Sequence, residues 1–258
     1  MTERVTLITG ASAGIGAEFA RLFAANGYRV ALVARRIENL EALAKEIVAK
    51  GGAEPIVIGC DLSQNGAGET VASALAAASV EVEYLVNNAG FGLFGDAMTL
   101  SAPDQLNMID INVKMLTDLT LRFTDELIRH RGGIINLGSI ASFLPGPGMA
   151  VYYASKAYVL SFSEALHLEL GGKGVRVTAV CPGPVPTEFQ KRAGFKPGFD
   201  SLVLNVSAAD VAAAGYRGVM AGRRVVLPGF GVRIIPFLLR FVPRGLVLAA
   251  AGAVQRKR

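Results

Sequence analysis

Cysteine is scarce in this sequence: Cys60 and Cys181 are the only two in 258 residues. Two thiols cannot build a disulfide framework, and a reducing compartment such as the cytoplasm suits them. Histidine is equally scarce, at His130 and His167. So few His and Cys leave no cluster for a His/Cys metal site, and no metal is expected. No run of 18 apolar residues occurs, which excludes a spanning helix. The apolar stretch Val5–Ile8 ends at Thr9-Gly10, shorter than the roughly 7–15 residues of a signal h-region, so the N-terminus reads as structure. No Pro/Ser-rich linker, low-complexity tract or repeat divides the chain. Charged residues are only 18% against 52% hydrophobic, which excludes disorder.

Acid is missing from one region altogether. The last acidic residue is Asp210. Residues 1–210 hold 17 Lys/Arg against 21 Asp/Glu, and residues 211–258 hold nine against none. The net charge of +5 is therefore a mildly acidic body with a strongly basic tail. The tail's basic residues lie among aliphatics rather than stacking aromatics, so no nucleic-acid partner is expected.

What is present is an alternation of short β-branched runs and longer amphipathic ones. Strands are expected at Val5–Thr9, Arg29–Ala34, Pro55–Gly59, Tyr84–Asn87, Ile134–Leu137, Val175–Cys181 and Arg224–Leu227. Helices are expected at Ile15–Asn26, Ile37–Lys50, Val71–Ala78, in one long stretch from about Pro103 to Arg131, and at Val151–Leu170. Glycine pairs stop three of them, at Gly51-Gly52, Gly132-Gly133 and Gly171-Gly172. Strands buried on both faces and separated by helices imply a parallel sheet with right-handed crossovers. The expected fold class is α/β: a doubly wound, Rossmann-type parallel sheet of about seven strands with helices on both faces. Residues 1–230 read as one domain and residues 231–258 as an appended tail.

After the first strand comes Gly10-Ala11-Ser12-Ala13-Gly14-Ile15-Gly16. Glycines there let a pyrophosphate approach the backbone, and the following helix N-terminus favours the anion. The spacing Gly-x3-Gly-x-Gly differs from the commoner dinucleotide fingerprint. Together with Asn87-Asn88-Ala89-Gly90, Asn112, Ser139, Tyr152-x3-Lys156 and Pro182-Gly183-x3-Thr187, the chain resembles the short-chain dehydrogenase/reductase family, classical type, over about residues 5–230. The resemblance implies cofactor contacts from Gly10, Ser12, Ala13, Gly14, Ile15 and Gly16. It has Asp61 bond the adenine amino group, with a backbone contact from Leu62. It implies that Asn88, Ala89 and Gly90 pass close to the adenine ribose, and that Pro182, Gly183 and Thr187 hold the nicotinamide carboxamide. Lys156 would hold the nicotinamide ribose.

The second strand ends Ala34-Arg35-Arg36, with no carboxylate. An acid there would bond the ribose hydroxyls of NAD and repel a 2′-phosphate, whereas guanidinium suits phosphate. NADP is therefore expected over NAD. Against this, Ala13 stands where NADP-using relatives often carry a second basic residue.

Tyr152 and Lys156, four apart on an expected helix, share a face. An ammonium beside a phenol lowers its pKa from about 10 toward operating pH, where Tyr exchanges a proton with a carbonyl or alcohol oxygen. Neither Tyr153 nor Tyr158 has Lys four residues on. Ser139, just past the fifth strand, reaches the same rim. In the family, Asn112 kinks the long helix and holds a water near the lysine. The catalytic set is thus Asn112, Ser139, Tyr152 and Lys156, for NADPH-dependent reduction of a carbonyl or the reverse oxidation. His130, His167, Cys60 and Cys181 read as structural.

The expected substrate loops carry Phe91, Leu93, Phe94, Met98, Phe143, Leu144, Met149, Phe189, Phe195 and Phe199. They suit a hydrophobic ketone or aldehyde, and equally suit loops closed onto the core. Two other readings stand beside this one: a 3-oxoacyl reductase acting on a carrier-bound chain, and a non-catalytic NADP-binding sensor or scaffold. The latter would be expected to lose Tyr or Lys. The resemblance implies a homodimer or homotetramer. In the tail, Pro236 and Pro243 prevent one long helix. Short amphipathic segments on the inner membrane face, a dimer contact and a lid over the pocket all fit its composition.

Overall fold

The computed structural model describes residues 2–186, 206–239 and 241–256. Seven strands form one parallel sheet in the order β3-β2-β1-β4-β5-β6-β7. They are β1 Glu3–Thr9, β2 Arg29–Ala34, β3 Ile56–Gly59, β4 Val80–Asn87, β5 Gly133–Leu137, β6 Arg176–Val180 and β7 Val225–Val226. Each expected strand is present. β4 starts four residues earlier than expected, because Val80-Glu81-Val82-Glu83 alternates buried and half-buried residues rather than forming a continuous apolar run. β7 is trimmed to two residues at the sheet edge.

The period-2 alternation of strand side chains feeds two cores. Val30, Leu32 and Ala34 of β2 pack with Phe19 and Phe23 of α1 (Gly14–Ala25), Leu40 and Ile47 of α2 (Ile37–Ala49), and Val211 and Val219 on one face. Ala31 and Val33 pack on the other, with Val71 and Leu75 of α3 (Ala67–Ala77), Leu119, Leu127, and Leu166 of α7 (Ala150–Gly171). Helices thus cover both faces, as a sheet of buried parallel strands demands. α3 starts four residues before its expected position, after Gly66 in the left-handed conformation.

The long helical stretch is not one helix. It divides into α4 (Ala102–Ile109), a π turn at Asp110–Met115, α5 (Leu116–Arg122) and α6 (Thr124–Arg129). Apolar periodicity is blind to this change of hydrogen-bond register: α5 and α6 keep a face on the sheet through Leu119 and Leu127, while α4 buries Met108 beside Phe91 and Tyr152. The π turn carries Asn112, and such insertions cluster at functional sites. A single 3₁₀ turn, Ile140–Phe143, follows β5.

Beyond α8 (Ala208–Met220) and β7, the tail forms α9 (Phe230–Leu239) and α10 (Arg244–Arg256). Short segments rather than one long helix were expected. Pro236 lies inside α9 and Pro243 immediately precedes α10, so only the second proline acts as the breaker. Among the described residues, no helix is long and apolar enough to cross a membrane.

Candidate active site

The sheet order reverses between β1 and β4, so the crevice at their C-terminal ends is where ligands bind in this architecture. The glycine loop leaves β1 there and Asn88-Ala89-Gly90 leaves β4. Asn88 stitches the two together. Its Nδ2 donates to the carbonyls of Thr9 at 2.9 Å and Gly10 at 3.2 Å. The backbone N–H groups of Asn88 and Ala89 both donate to Thr9 Oγ1 at 3.0 Å. The Asn88 side chain is thus occupied in shaping the loop.

This packing leaves no room for side chains on the loop. A Cβ on Gly16 would lie 2.4 Å from both Asn88 Nδ2 and the Gly10 carbonyl oxygen, and one on Gly10 would lie 3.0 Å from Ala89 Cα. Gly10 and Gly14 hold φ of +65° and +57°, which only glycine adopts cheaply. Ala13 precedes α1 with no side-chain cap, and the first turn carries no acid. Its opening N–H groups, with Ile15 and Gly16 among them, therefore form an uncapped anion-binding terminus. These features fit a dinucleotide pyrophosphate.

The far end of the crevice is lined from β2 and β3. Arg36 Nη2 donates to Ser12 Oγ at 3.3 Å, and Asn39 Nδ2 donates to the Ser12 carbonyl at 3.3 Å. Arg35 lies 3.9 Å from Asp61 Oδ2. Asp61 Oδ1 accepts from the backbone N–H of Ser63 at 3.1 Å and its hydroxyl at 2.8 Å. Leu62 is buried among the apolar side chains of the α3 face. Both arginines and the Asp61 carboxylate therefore border the same region as the glycine loop.

At the near end, four residues from three elements converge. Ser139 follows β5 and caps the 3₁₀ turn, accepting from the Ala141 N–H at 3.1 Å. Its own N–H donates to Ser142 Oγ at 3.2 Å, completing a capping box. Tyr152 opens α7 and shares a hydrogen bond with Ser139. Lys156, one turn later, donates to the Leu137 carbonyl at 2.6 Å. Its Nζ lies 5.9 Å from the Tyr152 ring centroid. Asn112 is 1% exposed, and its side chain is fully engaged. Its Oδ1 accepts from the Phe91 N–H at 3.1 Å, while Nδ2 donates to the Phe91 carbonyl at 3.0 Å and to Ser155 Oγ at 3.0 Å. Ser155 in turn donates to the Tyr152 carbonyl at 2.7 Å. Gly90 is exposed beside them; a Cβ there would lie 2.8 Å from Asn112 Oδ1 and 3.6 Å from Lys156 Nζ. Glycine keeps the groove open on the lysine side.

The electrostatics differ from the sequence expectation. Burial pushes the Tyr152 phenol up to about 12, and only the bond to Ser139 pulls it down. Burial also pulls the Lys156 ammonium down to about 8, so it is still largely protonated at pH 7. The expected lowering of the phenol pKa is therefore not found in the protein alone: desolvation dominates, Ser139 is the one group that opposes it, and the Lys156 ammonium makes no resolved contribution. Cys181, at the end of β6, belongs to the same surroundings. Its thiol is fully buried and pushed up to about 12, with Ser142 and the Ser139 backbone as hydrogen-bond partners. It is a packing cysteine, as expected, but it packs against the catalytic candidates. Ser142 and Ser155 were missed by sequence reasoning. The Ser139-x2-Ser142 spacing carried a capping signal, whereas the Asn112–Ser155 bond spans 43 residues and needs the fold.

Pro182 accepts from the Ile140 N–H at 2.8 Å, tying the end of β6, with Gly183, to the Ser139 turn. Thr187 lies outside the described residues, as do Phe189, Phe195 and Phe199. The apolar loop residues divide. Phe91, Met108 and Met149 are buried together with Tyr152, with Leu93 and Phe94 partly covering them. Met98 is 91% exposed, and Phe143 packs on Leu160 and Cys181. Leu93, Leu100, Gln105, Met108, Met149 and Tyr152 border a narrow surface crevice too tight to hold a water molecule.

Comparison with known proteins agrees with this geometry. The model of the short chain dehydrogenase family matches residues 4–196. A serine 3-dehydrogenase of Agrobacterium fabrum is 37% identical over 216 residues, covering 81% of this chain and 85% of its own. A short-chain dehydrogenase from Sphingobium yanoikuyae in complex with NADPH superposes with a TM-score of 0.82 at 32% identity, covering 95% of this chain and 94% of its own. A bulky-bulky ketone specific alcohol dehydrogenase from Comamonas testosteroni gives a TM-score of 0.78 at 30% identity, covering 95% and 94%. The chain belongs to the short-chain dehydrogenase/reductase family and is a nicotinamide-cofactor-dependent oxidoreductase acting on CH–OH groups.

Proposed function

We propose that the chain is an NADP-dependent carbonyl reductase for hydrophobic ketones or aldehydes, with residues 1–230 as its catalytic domain. The observation that carries the reading is the meeting of Tyr152, Ser139 and Lys156, with Tyr152 set among the apolar side chains of Phe91, Met108 and Met149. In this reading Tyr152 donates a proton to the carbonyl oxygen. Ser139, already hydrogen-bonded to Tyr152, polarises that oxygen. Lys156 holds the nicotinamide ribose through the opening left by Gly90 and supplies positive charge beneath the phenol. Asn112 positions the Phe91 backbone and, through Ser155, the start of α7; with its side chain engaged in this way, a water continuing the proton path would be held by its main-chain carbonyl. Bound, the cofactor supplies the hydride.

The choice of NADP rests on Arg36 reaching Ser12 on the glycine loop, with Arg35 beside it and no acid at the end of β2. A 2′-phosphate there would take charge-assisted hydrogen bonds from both guanidiniums. The NADPH complex of the Sphingobium relative and the bulky ketones of the Comamonas relative point the same way. The proposed assembly is a homodimer or homotetramer.

The test is nicotinamide oxidation with NADPH and with NADH against a panel of bulky ketones, aromatic aldehydes, small polar aldehydes and 3-oxoacyl thioesters. NADPH-preferring turnover of the apolar carbonyls is expected. Turnover confined to small charged aldehydes, or equal rates with NADH, would overturn the substrate or cofactor reading respectively.

A further inference from the structure

The C-terminal tail presents an apolar surface that the other described residues do not cover. α9 carries two apolar stripes. Val232, Ile235, Pro236 and Leu239 recur at helical spacing, and Val232 is 1% exposed, so this stripe faces the body. Ile234, Phe237 and Leu238, continued by Phe241, recur at the same spacing on the other side, and all four are exposed. Phe241 is 72% exposed and Phe237 59%. An outward stripe on a surface helix is ordinarily polar. Val242, just before α10, and Leu246 and Leu248 within it are exposed as well. So many large apolar side chains exposed in one segment mark an interaction surface.

Along the sequence, the charge of this segment is of one sign. Arg233, Arg240, Arg244, Arg256, Lys257 and Arg258 occur in it, and no acid occurs after Asp210. We propose that α9 and α10 dock this surface on an anionic lipid bilayer, lying in the interface rather than crossing it. Neither helix is long enough to span, whereas exposed apolar side chains in an acid-free segment rich in Arg and Lys suit the headgroup boundary of an acidic membrane. A second copy of this chain meeting the patch about a two-fold axis would oppose one acid-free, basic segment to another, which disfavours that occupant.

The placement of the tail gives the docking a consequence. α9 packs against the 3₁₀ turn that follows Ser139, and a Cβ on Gly252 of α10 would lie 3.8 Å from Pro147 Cγ. The membrane-facing helices therefore flank the segment between Ser139 and Tyr152, and a lipid-dissolved molecule would arrive beside the site. The docking itself does not depend on which carbonyl is reduced.

The experiment is flotation of the full-length protein with phosphatidylcholine vesicles, with and without about one-third phosphatidylglycerol. Two double variants accompany it: Phe237→Ser/Phe241→Ser, and Arg240→Glu/Arg244→Glu. Each cation near an anionic leaflet contributes about a five-fold gain in partitioning. Flotation with the anionic vesicles only, reduced at least about ten-fold in each variant, is expected. Circular dichroism and size-exclusion light scattering of both variants accompany the assay. Failure of the unaltered protein to float, or flotation unchanged in both variants, would overturn the proposal. So would loss of an oligomer in the Phe variant without any flotation of the parent, which would assign the patch to a second copy.

Discussion

Lys156 carries a stability cost that can be read as a function of pH. Its ammonium is 6% exposed, and burial draws its pKa from 10.5 to about 8. At about 1.4 kcal/mol per pKa unit, keeping it charged in the fold costs about 3 kcal/mol at neutral pH. The folded protein holds this proton less tightly than the unfolded chain. Stability is therefore lowest below the folded value and rises as pH climbs from about 8 toward 10.5. Lys156→Met removes the charge but leaves the Leu137 carbonyl unpaired, which costs about 1–3 kcal/mol. At neutral pH the two nearly cancel, so the informative quantity is the pH dependence of the difference. Between about pH 7 and pH 9.5 the parent should gain about 2 kcal/mol on the variant. Tyr152 and Tyr84, both held up to about 12 by burial, contribute an opposite slope at higher pH, but they are present in both proteins. Denaturant unfolding of the two proteins without cofactor, at both pH values, measures it. A difference that stays flat would refute the claim that a charged lysine is buried here.

Asn112→Ala strands the buried N–H and carbonyl of Phe91 and frees Ser155. Roughly 2–4 kcal/mol should be lost, or about 5–15 °C in melting temperature for a chain of this size, and a shift under about 2 °C would show that the π turn does not depend on this side chain. Arg35→Ser/Arg36→Ser should weaken NADPH binding at least about ten-fold and leave NADH within about two-fold, as measured by nicotinamide fluorescence titration. Equal losses for both cofactors would place the arginines elsewhere than at a 2′-phosphate.

The parts of the fold that hydrophobic pattern controls were legible in the sequence. β2, with six residues buried or half-buried on both faces, and α2, with Leu40, Leu43 and Ile47 on one face, fell where periodicity put them. The glycine loop was legible because backbone clearance forbids anything else at Gly10 and Gly16. What stayed hidden depended on long-range contacts. A kink at Asn112 was implied by the family resemblance, but the π turn itself exists where Asn112 bridges Phe91 and Ser155, and no local propensity encodes that bridge. The sign of the Tyr152 shift was misread because spacing placed an ammonium one turn away but gave no measure of burial. In the tail, composition revealed the charge. Only the structure separated the inward stripe of Val232 and Leu239 from the outward one of Phe237 and Phe241.

The central claim is that Tyr152 delivers the proton to a reacting carbonyl from a site whose cofactor cradle is built independently of it. Tyr152→Phe tests this most directly, by steady-state NADPH oxidation with the best carbonyl of the panel and by fluorescence titration of NADPH in parallel. The account predicts a loss of turnover of at least about a hundred-fold with NADPH affinity changed by no more than about two-fold. Turnover within about three-fold of the parent, with the cofactor still bound, would contradict it.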